Sequence, residues 1–379
     1  MNKLDRYLIK HICTFLGDFS KMSVMMTCRD FHAIMGWITI NKRISYKNIM
    51  NHPQKHIFKN IIVASVDEYD AMVKTADYDS IEFRGAFSGI TGPFIVPSCH
   101  RVVFTGEFNH DLVFAASDRY ETIIFGPFFN KNVDLPKSAK SISFGQYYNK
   151  PTKLPPGIIE IVFDDAFDHD IELPESVVSL KVGAAFNRPL KLTKNLKRLQ
   201  VGDAFNHALN LPNSLERLVT GRDFDHPLVL PSGLQYLILG TMFDHPLDIT
   251  PCSSSLETLK LGVVFNHPLD FTGSSLGWLK LSEFYDLPLN LPPTLRYLEL
   301  GHHYNQVLDL PASLRIFIMG ANFNQMIYLP GKLRKVVFGR NFDQEIVIPR
   351  KVEDAFYAGL GDGASWPANC RIIGYKQFL

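Results

Sequence analysis

Five histidines, His169, His207, His226, His245 and His267, each stand two residues after an aromatic side chain, and the last four do so on consecutive units of a repeating pattern. Imidazoles stacked about 5 Å apart, roughly the spacing of adjacent strands, can bind a metal ion or respond to protons. Copying of one unit gives the same column with no chemistry, and the position suits an exposed bend, so no metal ligand is assigned. A second column is acidic or amide: the residue after the aromatic is Asn or Asp in thirteen of fourteen units, with Ser88 the exception. A short polar side chain at a bend can bond N–H groups that the turn leaves unpaired. Asn109, Asn187, Asn206, Asp225, Asp244 and Asn266 are therefore read as a structural ladder rather than as catalytic groups. Asp164 and Asp165 beside His169 are the nearest approach to an acid–base cluster, and they occupy ordinary repeat positions. The sequence has no G-x-S-x-G, no G-x-x-x-x-G-K and no Cys matched to a general base. No catalytic residue, cofactor or metal is assigned, and the chain is not expected to be an enzyme.

The element that positions these columns is a coil about 19 residues long. From Tyr148 the aromatic recurs at Phe167, Phe186, Phe205, Phe224 and Phe243, and after small insertions at Tyr285, Tyr304, Phe323 and Phe342. So short a period means a solenoid. Leu237 and Leu239 alternate with the period of a strand buried on one face. Equivalent pairs are Leu298 and Leu300, Leu259 and Leu261, Leu180 and Val182, and Ile123 and Phe125. Gly follows at Gly126, Gly183, Gly202, Gly240, Gly262 and Gly301, either for a corner with positive φ or for close approach of neighbouring coils. The aromatic fills the interior as a stacked column. Pro closes nine units, at Pro136, Pro155, Pro174, Pro212, Pro231, Pro292, Pro311, Pro330 and Pro349, which keeps the outer wall extended or turn-like. The expected fold is mainly β, a solenoid over residues 78–350 with one short parallel strand per coil and no room for an outer helix.

If the leucine columns point inwards, the residues between them point outwards on one sheet face. That set includes Arg101, Lys181, Gln200, Lys335 and, as the partner-binding residues, Arg198, Arg217, Tyr236, Ile238, Lys260, Trp278, Lys280, Tyr297 and Glu299. Exposed Trp, Tyr and Arg are the types that dominate interfaces, and the excess of bases over acids points to a partner segment of acidic character.

The N-terminus follows a different period. Leu4, Leu8, Ile9, Ile12, Phe15 and Leu16 recur at helical spacing and Gly17 stops the run; Met22, Met25, Met26, Cys28 and Phe31 continue in a second helical stretch. Residues 1–40 thus form a small all-α module that must pack on something else. Residues 41–77 connect it to the coils, with Ile57, Phe58, Ile61 and Val63 as a degenerate strand and Asp67–Lys74 at helical spacing. Residues 351–379 form a C-terminal cap: Val352–Tyr357 resembles a last strand, and Arg371–Leu379 covers the exposed edge.

The 379 residues carry a net charge of +1, with no general drive towards nucleic acid or membrane. Cys13, Cys28, Cys99, Cys252 and Cys370 form no C-x-x-C pair, which suits a reducing compartment. Asp5, Arg6 and Lys10 interrupt any signal-peptide pattern, and no apolar run spans a bilayer. A cytoplasmic location is expected.

The units Phe224-Asp225-His226-Pro227-Leu228, Phe243-Asp244-His245-Pro246-Leu247 and Phe265-Asn266-His267-Pro268-Leu269, each after Leu-x-x-Leu-x-φ-Gly (φ here an apolar residue), resemble the FNIP repeat. That repeat is related to the leucine-rich repeat and occurs mostly in amoebae and in the giant viruses that infect them. The units at Phe87 and Phe108 depart from it, with Gly85 and Gly106 shifted by one. The order Leu4, Leu8-Ile9, Ile12, Phe15-Leu16, Met22, Thr27-Cys28-Arg29 and Phe31 resembles an F-box, with Leu4-Asp5 in place of the usual Leu-Pro. This second resemblance implies docking on a Skp-type adaptor, and through it on a cullin, by Leu4, Leu8, Ile9, Ile12, Leu16, Met25, Cys28 and Phe31. The implied function is a substrate-recognition subunit of a cullin-RING ubiquitin ligase in the cytoplasm, or the host's cytoplasm if viral. The alternative is a protein-binding scaffold whose N-terminal helices only cap the solenoid.

Overall fold

A computed structural model describes residues 43–49, 59–72, 78–357 and 371–374. The proposed F-box-like module, and with it every adaptor-docking residue named above, lies outside the described residues. The chain divides into two compact units, Met1–Phe167 and Asp168–Leu379.

In the first unit the strands Ile44–Ser45, Asn60–Val63, Tyr78–Arg84, Cys99–Thr105, Thr122–Ile124, Ser141–Ser143 and Glu160–Val162 pair in that order, all parallel. Ile61 and Val63 lie opposite Ile81 and Phe83 and are buried, so this half of the expected strand is present as Asn60–Val63, while Ile57 and Phe58 lie outside the described residues; Ile44–Ser45 adds a rung that the sequence pattern had not indicated. The helical spacing after Asp67 becomes a short helix, Val66–Ala71. Ser65 Oγ accepts from the Glu68 N–H at 3.2 Å, and the Glu68 carboxylate reaches back to the Ala64 N–H at 3.0 Å. The early coils also carry a second ladder, Phe94–Val96 against Leu112–Phe114. Among the described residues only these early coils have glycines in left-handed backbone directly after the strand, at Gly85 (φ 117°) and Gly106 (φ 66°).

In the second unit eleven strands, from Ser179–Lys181 to Arg371–Gly374, pair in parallel among the described residues. The last, Arg371–Gly374, covers the edge of Asp354–Tyr357 as expected. Most are three residues long and centred on one buried side chain, as in Tyr236–Ile238 around Leu237. The strand therefore sits one residue earlier than the Leu237–Leu239 alternation suggests. Leu239 is buried just past it, where the chain turns inwards, and its N–H still donates to the Lys260 carbonyl at 2.9 Å.

The glycines that follow serve close approach. A Cβ on Gly126 would stand 2.7 Å from the Phe104 carbonyl oxygen, and one on Gly240 would collide with the Gly221 carbonyl. Neither has a positive φ. Each closing proline accepts a hydrogen bond through its carbonyl from the N–H three residues on, for example Leu215 to Pro212 at 3.0 Å and Leu314 to Pro311 at 3.0 Å. Its missing N–H costs nothing there, because the turn uses only the acceptor.

Ring spacings reveal how the coils lean. In the first unit the column beside the strand, Phe125 to Phe144 to Phe163, steps by 4.9 and 5.1 Å, whereas the far column, Phe129 to Tyr148 to Phe167, steps by 6.0 and 6.2 Å. In the second unit the far column, Phe224 to Phe243 to Phe265, steps by 6.2 Å, against about 4.8 Å between paired strands. Within each unit the coils fan open on the aromatic side, which makes the strand face the inner, concave one.

Candidate functional site

The first residue of each strand in the second unit forms one lane of the concave face, Arg198, Arg217, Tyr236, Thr258, Trp278 and Tyr297. The third forms another, Gln200, Val219, Ile238, Lys260, Lys280 and Glu299. The spacing widens to 22 residues between Tyr236 and Thr258, and the 3-10 turn Thr250–Cys252 takes up the excess without disturbing the register. All nine predicted face residues therefore line one surface, with Arg198 exposed and the others half-buried between rungs.

Neighbouring rungs interact along these lanes. The Arg217 guanidinium carbon lies 3.6 Å over the Tyr236 ring centroid, a cation–π contact. Trp278 and Tyr297 stack at 4.6 Å with planes 11° apart, an apolar platform two rungs wide. The Tyr297 hydroxyl donates to Glu299 Oε2 at 2.7 Å, and Glu299 Oε1 holds the Lys280 ammonium. Burial, followed by the Glu299 carboxylate, pushes the Tyr297 hydroxyl above the ordinary phenol range. Lys260, on the preceding rung, has no acidic partner among the described residues.

Beside the second lane runs an open groove of about 420 Å³, floored by the glycine corners and walled by Lys260, Lys280, Glu299 and a ridge that includes Arg222, Glu283 and His302. Ridge charges are mutually engaged: Arg222 Nε donates to Asp223 Oδ1 at 2.8 Å, and His302 Nδ1 lies 3.0 Å from Glu283 Oε1. Sequence reasoning missed this ridge. Its signal is the residue just after each corner position, which the strand alternation does not flag.

The Asn/Asp ladder is present on the opposite side of the coils. The Asp225 N–H donates to Asn206 Oδ1 at 3.0 Å, Asp244 to Asp225 at 3.2 Å, Asn305 to Asp286 at 2.8 Å and Asn324 to Asn305 at 2.9 Å. The side chains of Asn206, Asp225, Asp244 and Asn305 are exposed and those of Asp286 and Asn324 half-buried, so the ladder is not turned to an inner bend. The histidines serve the same seam. Nε2 of His207, His226, His245 and His267 lies 3.0–3.2 Å from the backbone carbonyl of the Asn or Asp one coil back. A carbonyl only accepts, so Nε2 carries the proton. In later coils Gln306, Gln325 and Gln344 donate from this column to the side chains of Asp286, Asn305 and Asn324. The column is one of hydrogen-bond donors linking coils, and among the described residues no group of three or more His, Cys, Asp or Glu is arranged to hold a metal ion.

Coils and face together define a leucine-rich-repeat-like β-solenoid. A family model described as FNIP Repeat matches residues 148–184, 186–218 and 205–242, so FNIP repeats are present in this part of the chain. No curated protein matches the sequence. Among solved structures, the crystal structure of CroV588, described as a novel circular LRR protein structure, superposes with a TM-score of 0.67 at 21% identity, covering 85% of this chain. The chain spans 57% of that protein's length. YopM from Yersinia enterocolitica WA-314 superposes with a TM-score of 0.49 at 15% identity, covering 84% of this chain and 87% of YopM. Among the described residues no helix is long and apolar enough to cross a membrane.

Proposed function

We propose that this protein recruits a target to a cullin-RING ubiquitin ligase in the cytoplasm, with residues 1–40 docking on a Skp-type adaptor and the coils holding the target protein. The observation that carries the recruiting half is the pair of lanes on the concave face, where Arg, Lys, Trp and Tyr side chains stand on a rigid parallel sheet in fixed register. The ligase half is supported by the F-box resemblance of Leu4 to Phe31. Tethering both partners raises the target's effective concentration near the conjugating enzyme, and the chemistry is theirs. Capture of the full chain by an immobilised Skp-type adaptor tests this, comparing wild type with Leu8→Asp and Ile12→Asp. Retention of wild type and loss of both variants is expected; a wild type that is not retained refutes the ligase role.

One observation favours the rival scaffold reading. Among the described residues the strand Ile44–Ser45 is the first rung of the parallel ladder, and the end rung of a solenoid needs a cap over its open edge. In that case Leu8→Asp lowers the stability of the first unit and the adaptor is never retained.

A further inference from the structure

Five cations stand on the two lanes from Ser179–Lys181 to Tyr297–Glu299, namely Lys181, Arg198, Arg217, Lys260 and Lys280, against one carboxylate, Glu299. That carboxylate shows how the face holds an acid: one oxygen meets the Lys280 ammonium and the other accepts from the Tyr297 hydroxyl, beside the Trp278 platform. One rung earlier Lys260 borders the same groove with no acid of its own among the described residues. The acidic neighbours Glu216 and Glu257 lie at the other edge, where the strands begin, and Glu216 is already held by Lys197 at 2.7 Å.

We propose that the concave face of the second unit binds an extended acidic segment of a partner protein, one carboxylate seated on Lys260 and an adjacent aromatic or apolar side chain on the Trp278–Tyr297 platform. This rests on the reading of the strand face as the target surface and names what the target presents. The charge excess supplies complementarity, and Glu299 is an internal stand-in that occupies the next seat along the lane. A nucleic-acid strand fits less well. Trp278 and Tyr297 are closed on each other at 4.6 Å, leaving no slot between them for a base.

The test uses the full chain and fluorescence anisotropy at about 50 mM salt, where surface charge pairs are weakly screened. The probes are a fluorescein-labelled 12-residue peptide of alternating Glu and Tyr, its Lys–Tyr counterpart, and a 12-nucleotide oligothymidylate. The Glu–Tyr peptide is expected to bind and the Lys–Tyr peptide not. Lys260→Glu is expected to weaken the Glu–Tyr peptide by about tenfold or more, the scale of a desolvated charge contact. Glu299→Gln is expected to tighten it, because it frees Lys280 and removes the competing carboxylate. Lys351→Glu, an exposed site five rungs along the same unit and so roughly 24 Å away, makes the same charge change and is expected to leave the affinity within about twofold, since charges separated by more than a Debye length are largely screened. Equal losses in Lys351→Glu and Lys260→Glu, or preferential binding of the oligothymidylate, overturn the proposal. Adaptor capture on the same variants separates the two readings, because Lys260→Glu leaves residues 1–40 intact: loss of peptide with capture retained indicts the face alone.

Discussion

Adding one methyl group to Gly240 tests whether the corner glycines exist for close approach. The Cα of Gly240 faces the Gly221 carbonyl of the preceding coil, and a Cβ would collide with that oxygen while standing 3.1 Å from the Arg222 nitrogen. Carbon needs roughly 3.5 Å from such atoms, so the two coils must separate by more than about 1 Å. Separation strains the bonds that flank the corner, Thr220 N–H to Ile238 at 2.9 Å and Met242 N–H to Arg222 at 2.9 Å. Overpacking of about 1–3 kcal/mol plus loss from two backbone bonds at about 0.5–1.5 kcal/mol each places Gly240→Ala at about 2–6 kcal/mol of destabilisation. Gly331 is the internal control. It has no atom within 4 Å of a built Cβ and no positive φ, so Gly331→Ala is expected to stabilise by about 0.4–1 kcal/mol through the unfolded chain. Urea denaturation of the full-length protein followed by far-UV circular dichroism measures both. If Gly240→Ala costs less than about 0.5 kcal/mol, within the range of ordinary surface substitutions, the close-approach account is wrong.

Two further outcomes are expected. The Tyr304 hydroxyl is buried without a hydrogen-bond partner among the described residues, in a column otherwise built largely of Phe. Tyr304→Phe should raise stability by about 1–3 kcal/mol, whereas Tyr148→Phe, which loses the 2.6 Å contact with Thr152 Oγ1, should lower it by about 1 kcal/mol; a thermal melt in which both variants move the same way contradicts this. Burial pushes the Tyr285 hydroxyl up to about 12, the Cys252 thiol up to about 11 and the Cys99 thiol up to about 12. Above about pH 9–10 the unfolded chain releases these protons while the folded chain keeps them, so stability is full below that range and falls as pH rises towards 12. Phenolate absorbance from Tyr285, taken as the difference between wild type and Tyr285→Phe, should rise together with loss of the circular dichroism signal, and its appearance in a chain that stays folded would count against it.

Much of the fold was legible because every structural duty recurs at the same place in each unit. The aromatic at Phe224 or Phe243 announced an interior column, Pro212 and Pro311 announced turns, and Asn206 and Asp225 announced a ladder; each reading was repeated by its neighbours. The rung Ile44–Ser45 was illegible because no Gly follows it and its buried aromatic, Tyr46, stands directly after the strand instead of at the repeat's aromatic position. The site was legible in part. Alternation around Leu237 and Leu279 put Tyr236, Trp278 and Lys280 on one face, but the ridge of Arg222, Glu283 and His302 follows no alternation and was missed.

The sequence by itself determined the period, the buried columns and the identity of the concave lanes, since a repeat near 19 residues with one apolar alternation leaves few other ways to bury its leucines. Tertiary structure alone decided what happens between coils: that Gly240 serves contact and not φ, that Asn206 serves the N–H of Asp225 one coil on, that the strand centres on Leu237, and that Glu299 engages Lys280 while Lys260 has no acidic partner among the described residues. The physical reason is distance. Each of these contacts joins atoms a full coil apart in sequence, and only the register of one rung on the next brings them within reach.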